Sequence, residues 1–152
     1  MATVLAVCTA KNKGTRKIDV GKCFIIDDWG LENDAHGGSW HRQVSLLSFE
    51  KIEAFRARGA KVDFGDFGEN LVVSGIEFKE LPIGTKLTCG SVVLELTQIG
   101  KECHTRCEIS REMGECIMPV EGVFTKVIKG GWVQVGDSME VEYVRGCDCH
   151  VV

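Results

Sequence analysis

Ser91-Val92-Val93-Leu94-Glu95-Leu96-Thr97-Gln98 sets Val92, Leu94 and Leu96 on one face of an extended chain and Ser91, Glu95 and Thr97 on the other. A period of two is the signature of a half-buried strand. The same alternation recurs in Thr3 to Thr9, Lys22 to Asp27, Gln43 to Leu47, Asn70 to Ser74, Lys86 to Cys89 and Ser138 to Val144. Each piece is bounded by Gly, Asp or Asn, the pattern of short strands and tight turns that closes a sheet into a barrel. The expected fold is mostly β: a single barrel-like antiparallel or mixed domain with one clear helix and one short one.

The clear helix is predicted from Ser48, a capping residue, to Arg58. Phe49, Ile52 and Phe55 share its buried face, Glu50 sits in its first turn and Gly59 stops it. The short helix is predicted from Pro119 at a first helical position through Val123, Phe124 and Val127 to a Gly130-Gly131 stop.

A chain of 152 residues is one domain's worth and buries a real core without staples. Gly is 18 of these residues, well above the roughly 7% of an average chain, and Pro only 2, which suits many tight turns and not disorder. The formal net charge of −4 and the absence of a Lys/Arg run argue against a nucleic-acid protein and a membrane-surface patch. Neither a basic leader nor an apolar run of spanning length is seen, so the expected location is the cytoplasm. Eight cysteines in such a compartment stay reduced, and clustered ones suggest metal or catalysis before disulfides.

The densest chemistry follows the quoted strand. Gly100-Lys101-Glu102-Cys103-His104-Thr105-Arg106-Cys107-Glu108-Ile109 holds two thiols, an imidazole and two fixed cations. Adjacent positive charge favours the thiolate, which is the nucleophile and the soft-metal ligand. Cys107 beside Arg106 has that environment most clearly and is the predicted working atom. Two other readings stand beside it: a small buried hydrophobe, the commonest fate of a free cysteine, and a closed zinc site of Cys103, Cys107 and Cys116, with His104 as an optional further ligand.

Two polar turns open onto strands. Asp34-Ala35-His36-Gly37-Gly38-Ser39-Trp40-His41-Arg42-Gln43 gathers an acid, two imidazoles and a guanidinium around glycines whose backbone amides would approach an anion. Phe67-Gly68-Glu69-Asn70-Leu71 offers a carboxylate and an amide to a heterocycle. Taken singly, each is more simply a polar turn that satisfies its own backbone. The tail from Gly146 carries Cys147, Cys149 and His150, too short a cluster to close a metal site alone.

In order and spacing, these pieces resemble the MOSC domain, the module named for the C-terminal part of molybdenum cofactor sulfurase. The resemblance runs from Gly30-Leu31-Glu32-Asn33-Asp34-Ala35-His36-Gly37-Gly38 and Trp40 to Leu47 through Phe67 to Leu71, Thr97 to Lys101, Cys103 to Cys107, Cys116 to Pro119, Glu121 to Phe124 and Gly130-Gly131 to Val135-Gly136-Asp137. It is closest to the short, free-standing prokaryotic members and assigns residues 1–145 to the domain and 146–152 to a Cys-rich tail.

The resemblance implies a β-barrel with a pocket for the pterin-based molybdenum cofactor, or its tungsten counterpart. Cys107 would be metal ligand or persulfide carrier and Cys103 its neighbour, with one residue more between them than in the amidoxime-reducing relatives. Asp34, His36, His41 and Arg42 would form the pocket, Glu69 and Asn70 its opposite wall, and Lys101 and Arg106 would counter the cofactor phosphate. The implied role is sulfur carriage in cofactor maturation or delivery. A cysteine desulfurase or another cofactor-biosynthesis protein would be the partner, since the chain has no room for a desulfurase domain. The alternatives are a molybdenum enzyme reducing N-oxygenated compounds and a non-catalytic cofactor-binding module.

Overall fold

The computed structural model describes residues 2–12, 16–35, 37–100 and 122–142. In chain order the elements are β1 (Ala2–Thr9), β2 (Ile18–Asp19), β3 (Lys22–Ile26), β4 (Gly30–Leu31), β5 (Val44–Ser48), α1 (Phe49–Ala57), β6 (Leu71–Ser74), a 3-10 turn (Phe78–Glu80), β7 (Lys86–Cys89), β8 (Val92–Ile99), β9 (Val123–Lys129), β10 (Gly131–Gln134) and β11 (Ser138–Glu142). The ring β1-β11-β7-β8-β9-β5-β6 closes back on β1, which pairs with β6 on one edge and, through Ala2 and Thr3, with β11 on the other. Closure leaves no free edge in these seven strands. β2 extends β1 outside the ring, and β10, β3 and β4 form a separate three-stranded sheet.

Within the ring β5 and β6 are parallel, with Leu46 opposite Leu71, and every other pair is antiparallel. A parallel pair needs a crossover, and α1 lies within it. This is why one helix interrupts an otherwise all-β order. Ile52 and Phe55 of α1 are buried, as the sequence predicts, and Gly59 ends it in the left-handed region at φ +104°. Ser48 does not cap the helix through its side chain. Its Oγ donates instead to Ile76 O at 2.5 Å, tying the start of α1 to the strand end behind it.

The strands divide two cores. Val4, Val7, Val44, Leu46, Leu71, Val73, Leu87, Leu94, Leu96, Val123 and Met139 fill the barrel interior. Ala6, Cys8, Leu47, Val72 and Phe124 face the other way and pack with Ile52, Phe55, Val62 and Phe67 between the wall and α1. All seven strands predicted from alternation are present. The second helix is corrected over its described part, because Val123–Lys129 is strand β9, paired with both β5 and β8. The short helical element is the 3-10 turn at Phe78–Glu80.

Candidate functional site

Gln43 staples the loop that precedes β5. Its Nε2 donates to Asp28 Oδ1 and Gly38 O, both at 3.0 Å, and its Oε1 accepts from the Val127 amide at 2.8 Å. The glycines of this loop serve packing. The Gly37 amide donates to Asp34 O and the Gly38 amide to Trp29 O, so neither is left to grip an anion as the sequence suggested. A Cβ on Gly37 would enter the Trp29 ring.

Asp34 and Asn70, 36 residues apart, meet in a buried network. Asn70 Nδ2 donates to Asp34 Oδ2 at 3.1 Å and to Cys8 O at 3.0 Å, while its Oδ1 accepts from the Ser45 amide at 3.0 Å. Ser45 Oγ donates to Gly68 O at 3.1 Å. Lys17 Nζ lies 2.7 Å from Asp34 Oδ1, and both side chains are withdrawn from solvent. That Oδ1 also accepts the Ala10 amide at 3.1 Å. Lys17 was not singled out from sequence, because Arg16-Lys17 reads as part of a solvated polar stretch. The hint was its partner, an acid among small residues with no cation nearby in sequence.

Glu69 is fully buried beside this network and clamps its own turn. Its two carboxylate oxygens accept the Gly65 amide at 2.9 Å and the Phe67 amide at 3.1 Å. Burial pushes its carboxyl up to about 7, against the lowering effect of those amides. The turn is held to Lys17, whose amide donates to Gly65 O at 2.9 Å. A cleft of about 520 Å³ opens alongside, lined by Arg16, Lys17, Arg56, Phe64 and Asp66 among others. Arg16 and Asp66 pair across it at 3.7 Å, so cation and acid answer each other there.

His41 and Arg42 lie outward of the network. Gln98 Oε1 sits 2.8 Å from His41 Nε2 and accepts from Arg42 Nε at 3.0 Å. Arg42 stacks on Phe124, 5.2 Å from the ring centroid, and on Trp40 at 5.9 Å. The Gln98 Nε2 donates to Gly100 O at 2.8 Å, and the Gly100 amide donates to Gly122 O at 2.6 Å. Gly100 and Gly122 bracket residues 101–121, so this polar cluster stands at the neck of the segment that carries the predicted thiols. Gln98 was quoted in the sequence but given no role.

These side chains gather where β5 and β9 begin and β8 ends, outside the barrel interior. Ser45 and Phe124 alternate with Val44, Leu46 and Val123, which face the interior, so the two point outward. Asp34, Glu69 and Asn70 are committed to partners inside the protein and set the loops, while His41 and Arg42 face the surface. His36, Lys101, Cys103, Arg106 and Cys107 lie outside the described residues, as do Cys116 and the tail cysteines.

The described cysteines, Cys8, Cys23 and Cys89, are free and buried. Burial raises all three thiols, Cys89 to about 11, so none is a thiolate near neutrality. No group of three or more metal-binding side chains occurs among the described residues. No helix among the described residues is long and apolar enough to cross a membrane.

A family model described as the MOSC domain matches residues 33–140. The chain belongs to the MOSC domain family. This is a family associated with molybdenum-cofactor binding or sulfurase function. Among solved structures, the YuaD protein from Bacillus subtilis superposes with a TM-score of 0.77 at 19% identity, covering 95% of this chain and 97% of that one. YiiM from Geobacillus stearothermophilus gives 0.70 at 15% identity, over 93% of this chain and 75% of that one. YiiM from Escherichia coli gives 0.65 at 19% identity, over 95% and 71%. At such identities the likeness is one of fold. No curated protein sequence matches significantly.

Proposed function

We propose that this MOSC protein binds the pterin-based molybdenum cofactor and carries sulfur on Cys107 in cofactor maturation or delivery. The observation that carries the reading is the His41–Gln98–Arg42 cluster at the Gly100–Gly122 neck of the segment bearing Cys103 and Cys107. The described donors suit the phosphate of the cofactor: the Arg42 guanidinium, braced by the Trp40 and Phe124 rings. They do not suit the metal, which asks for soft thiolates. Those would come from Cys107, with Cys103 beside it and Lys101 and Arg106 supplying positive charge. When bound, the cofactor supplies the dithiolene-held metal to which sulfur is added.

The protein's own chemistry is thiol exchange. The Cys107 thiolate attacks the outer sulfur of a donor persulfide, forming its own persulfide and releasing the donor as thiolate, with no net oxidation. A cytoplasmic cysteine desulfurase or a related cofactor-biosynthesis protein would be that donor. The test is purification from cofactor-producing cells, with metal and pterin analysis and intact mass. Cys107→Ser should abolish cofactor retention or sulfur loading with the fold intact, because serine is a harder, far less acidic ligand. Cys103→Ser should do so partly, and Cys23→Ser and Cys89→Ser should cost only stability. A Cys107→Ser protein that retains cofactor and sulfur like the parent overturns the assignment. Turnover of an N-oxygenated compound with an electron donor would make the protein a reductase instead.

A further inference from the structure

We infer that Gln98 is the positioning residue that presents Arg42 to a phosphate-type oxyanion and couples that grip to the Gly100–Gly122 neck. The inference rests on the cofactor reading for the identity of the ligand, and on geometry for the placement.

The amide of Gln98 has one workable orientation. Its NH₂ end donates to Gly100 O at 2.8 Å, and its oxygen meets both Arg42 Nε and His41 Nε2. Turning the amide over would set the NH₂ against the Nε–H of Arg42, which only donates, and oxygen against the Gly100 carbonyl. The oxygen therefore faces the two cationic-type side chains, and His41 Nε2 must carry the proton. With Nε2–H engaged on Gln98, the imidazole serves to hold that amide in place, and the oxyanion grip is left to Arg42.

Arg42 is fixed at three points: Nε on Gln98, and the guanidinium over the Phe124 ring and over the Trp40 ring. Its two terminal amino groups make no hydrogen bond or ion pair to the described residues. A guanidinium held by Nε and stacked on rings offers its remaining N–H pair as a preorganised fork, the geometry that matches a phosphate oxygen pair. Because the same amide holds Gly100, whose N–H holds Gly122, an oxyanion on the fork and the ends of residues 101–121 share one hydrogen-bonded unit.

The test uses the metal-free, full-length protein and inorganic phosphate. In ¹⁵N spectra the parent should show a protected Arg42 Nε–H and the Nε2–H form of His41, and phosphate should shift the Arg42 signals saturably. Gln98→Leu should lose both signatures and weaken phosphate at least tenfold. Gln98→Glu should restore both signatures, since a carboxylate oxygen accepts from each, yet bind phosphate more weakly than the parent because its charge opposes the anion. A merely structural glutamine would lower the melting temperature and leave the Arg42 Nε–H in place. Unchanged signatures or unchanged phosphate affinity in Gln98→Leu overturns the inference, as does a parent whose Arg42 ignores phosphate. If Arg42 grips phosphate as expected but no pterin or metal co-purifies, the cofactor reading falls and the Gln98 assignment stands.

Discussion

Lys17 and Asp34 each hold a charge with no solvent exposure of the side chain, which makes them the most sensitive pair in the described structure. Removing one partner strands the other charge in the interior, a loss of about 3–5 kcal/mol. Lys17→Met should therefore lower the urea midpoint sharply, while Lys17→Met combined with Asp34→Asn should recover part of the loss, because no charge is left unpaired and the asparagine oxygen still accepts the Ala10 amide. Equal loss in single and double variants would show that packing and not charge is at stake. Glu69 makes a separate pH-dependent contribution. Its carboxyl is raised from 4.5 to about 7 in the folded chain. Below the lower value both states hold the proton, and above the upper value both have lost it. Between them the folded chain keeps a proton that the unfolded chain has released, so stability from this group falls as pH rises through that window, by on the order of 3 kcal/mol. Glu69→Gln should remove this slope, so the stability of the parent minus that of the variant should be more positive at pH 5 than at pH 8. The same difference at both pH values would refute the shift.

Gly65 decides whether the turn between α1 and β6 closes on β2. It sits at φ +94°, and a Cβ there would collide with the Lys17 carbonyl, which is backbone and has little room to yield. Gly68, in the same turn at φ +81°, has open space around it. Gly68→Ala should cost only the left-handed strain of about 1–2 kcal/mol. Gly65→Ala should cost clearly more in denaturant unfolding and loosen Lys17 as well. Equal costs at the two sites would contradict the packing described here. The contrast between the two glycines was not legible in the sequence, since both read as turn residues and only the approach of a distant segment separates them. The elements themselves were more legible. Strands with one face on the barrel interior kept a period of two, as in Val92, Leu94 and Leu96. β9 did not, because Phe124 packs outward against the helix-side core while Val123 and Val127 fill the interior, and bulges in its pairing with β8 shift the register. Apolar residues at 123, 124 and 127 then mimic a helix, with Pro119 and Gly130-Gly131 as false punctuation. At the site, the Asp34–Asn70 contact and its burial among Lys17, Ser45 and Cys8 depend on contacts across three strands that no local pattern encodes.

For the molecule as a whole, the barrel and the predicted chemistry separate along the chain. All seven strands of the ring are made of described residues, and their pairings close the ring. The two ends of that segment already stand at hairpin spacing: Ile99 is opposite Val123, and the Gly100 amide reaches Gly122 O. Replacing 101–121 by Asn-Gly should convert β8 and β9 into a two-residue hairpin with no rearrangement of the wall. Each halving of a connection also returns about 0.6 kcal/mol of closure entropy, so shortening does not oppose folding. The excised protein should keep the parent's far-UV circular dichroism and a single cooperative denaturant transition, while metal, pterin and persulfide content fall to background. Gln98 loses nothing of its contact to Gly100 in this variant, so inorganic phosphate should still shift Arg42. An excised chain that fails to fold would place 101–121 in the core, and one that keeps cofactor would move the working thiol away from Cys107 altogether.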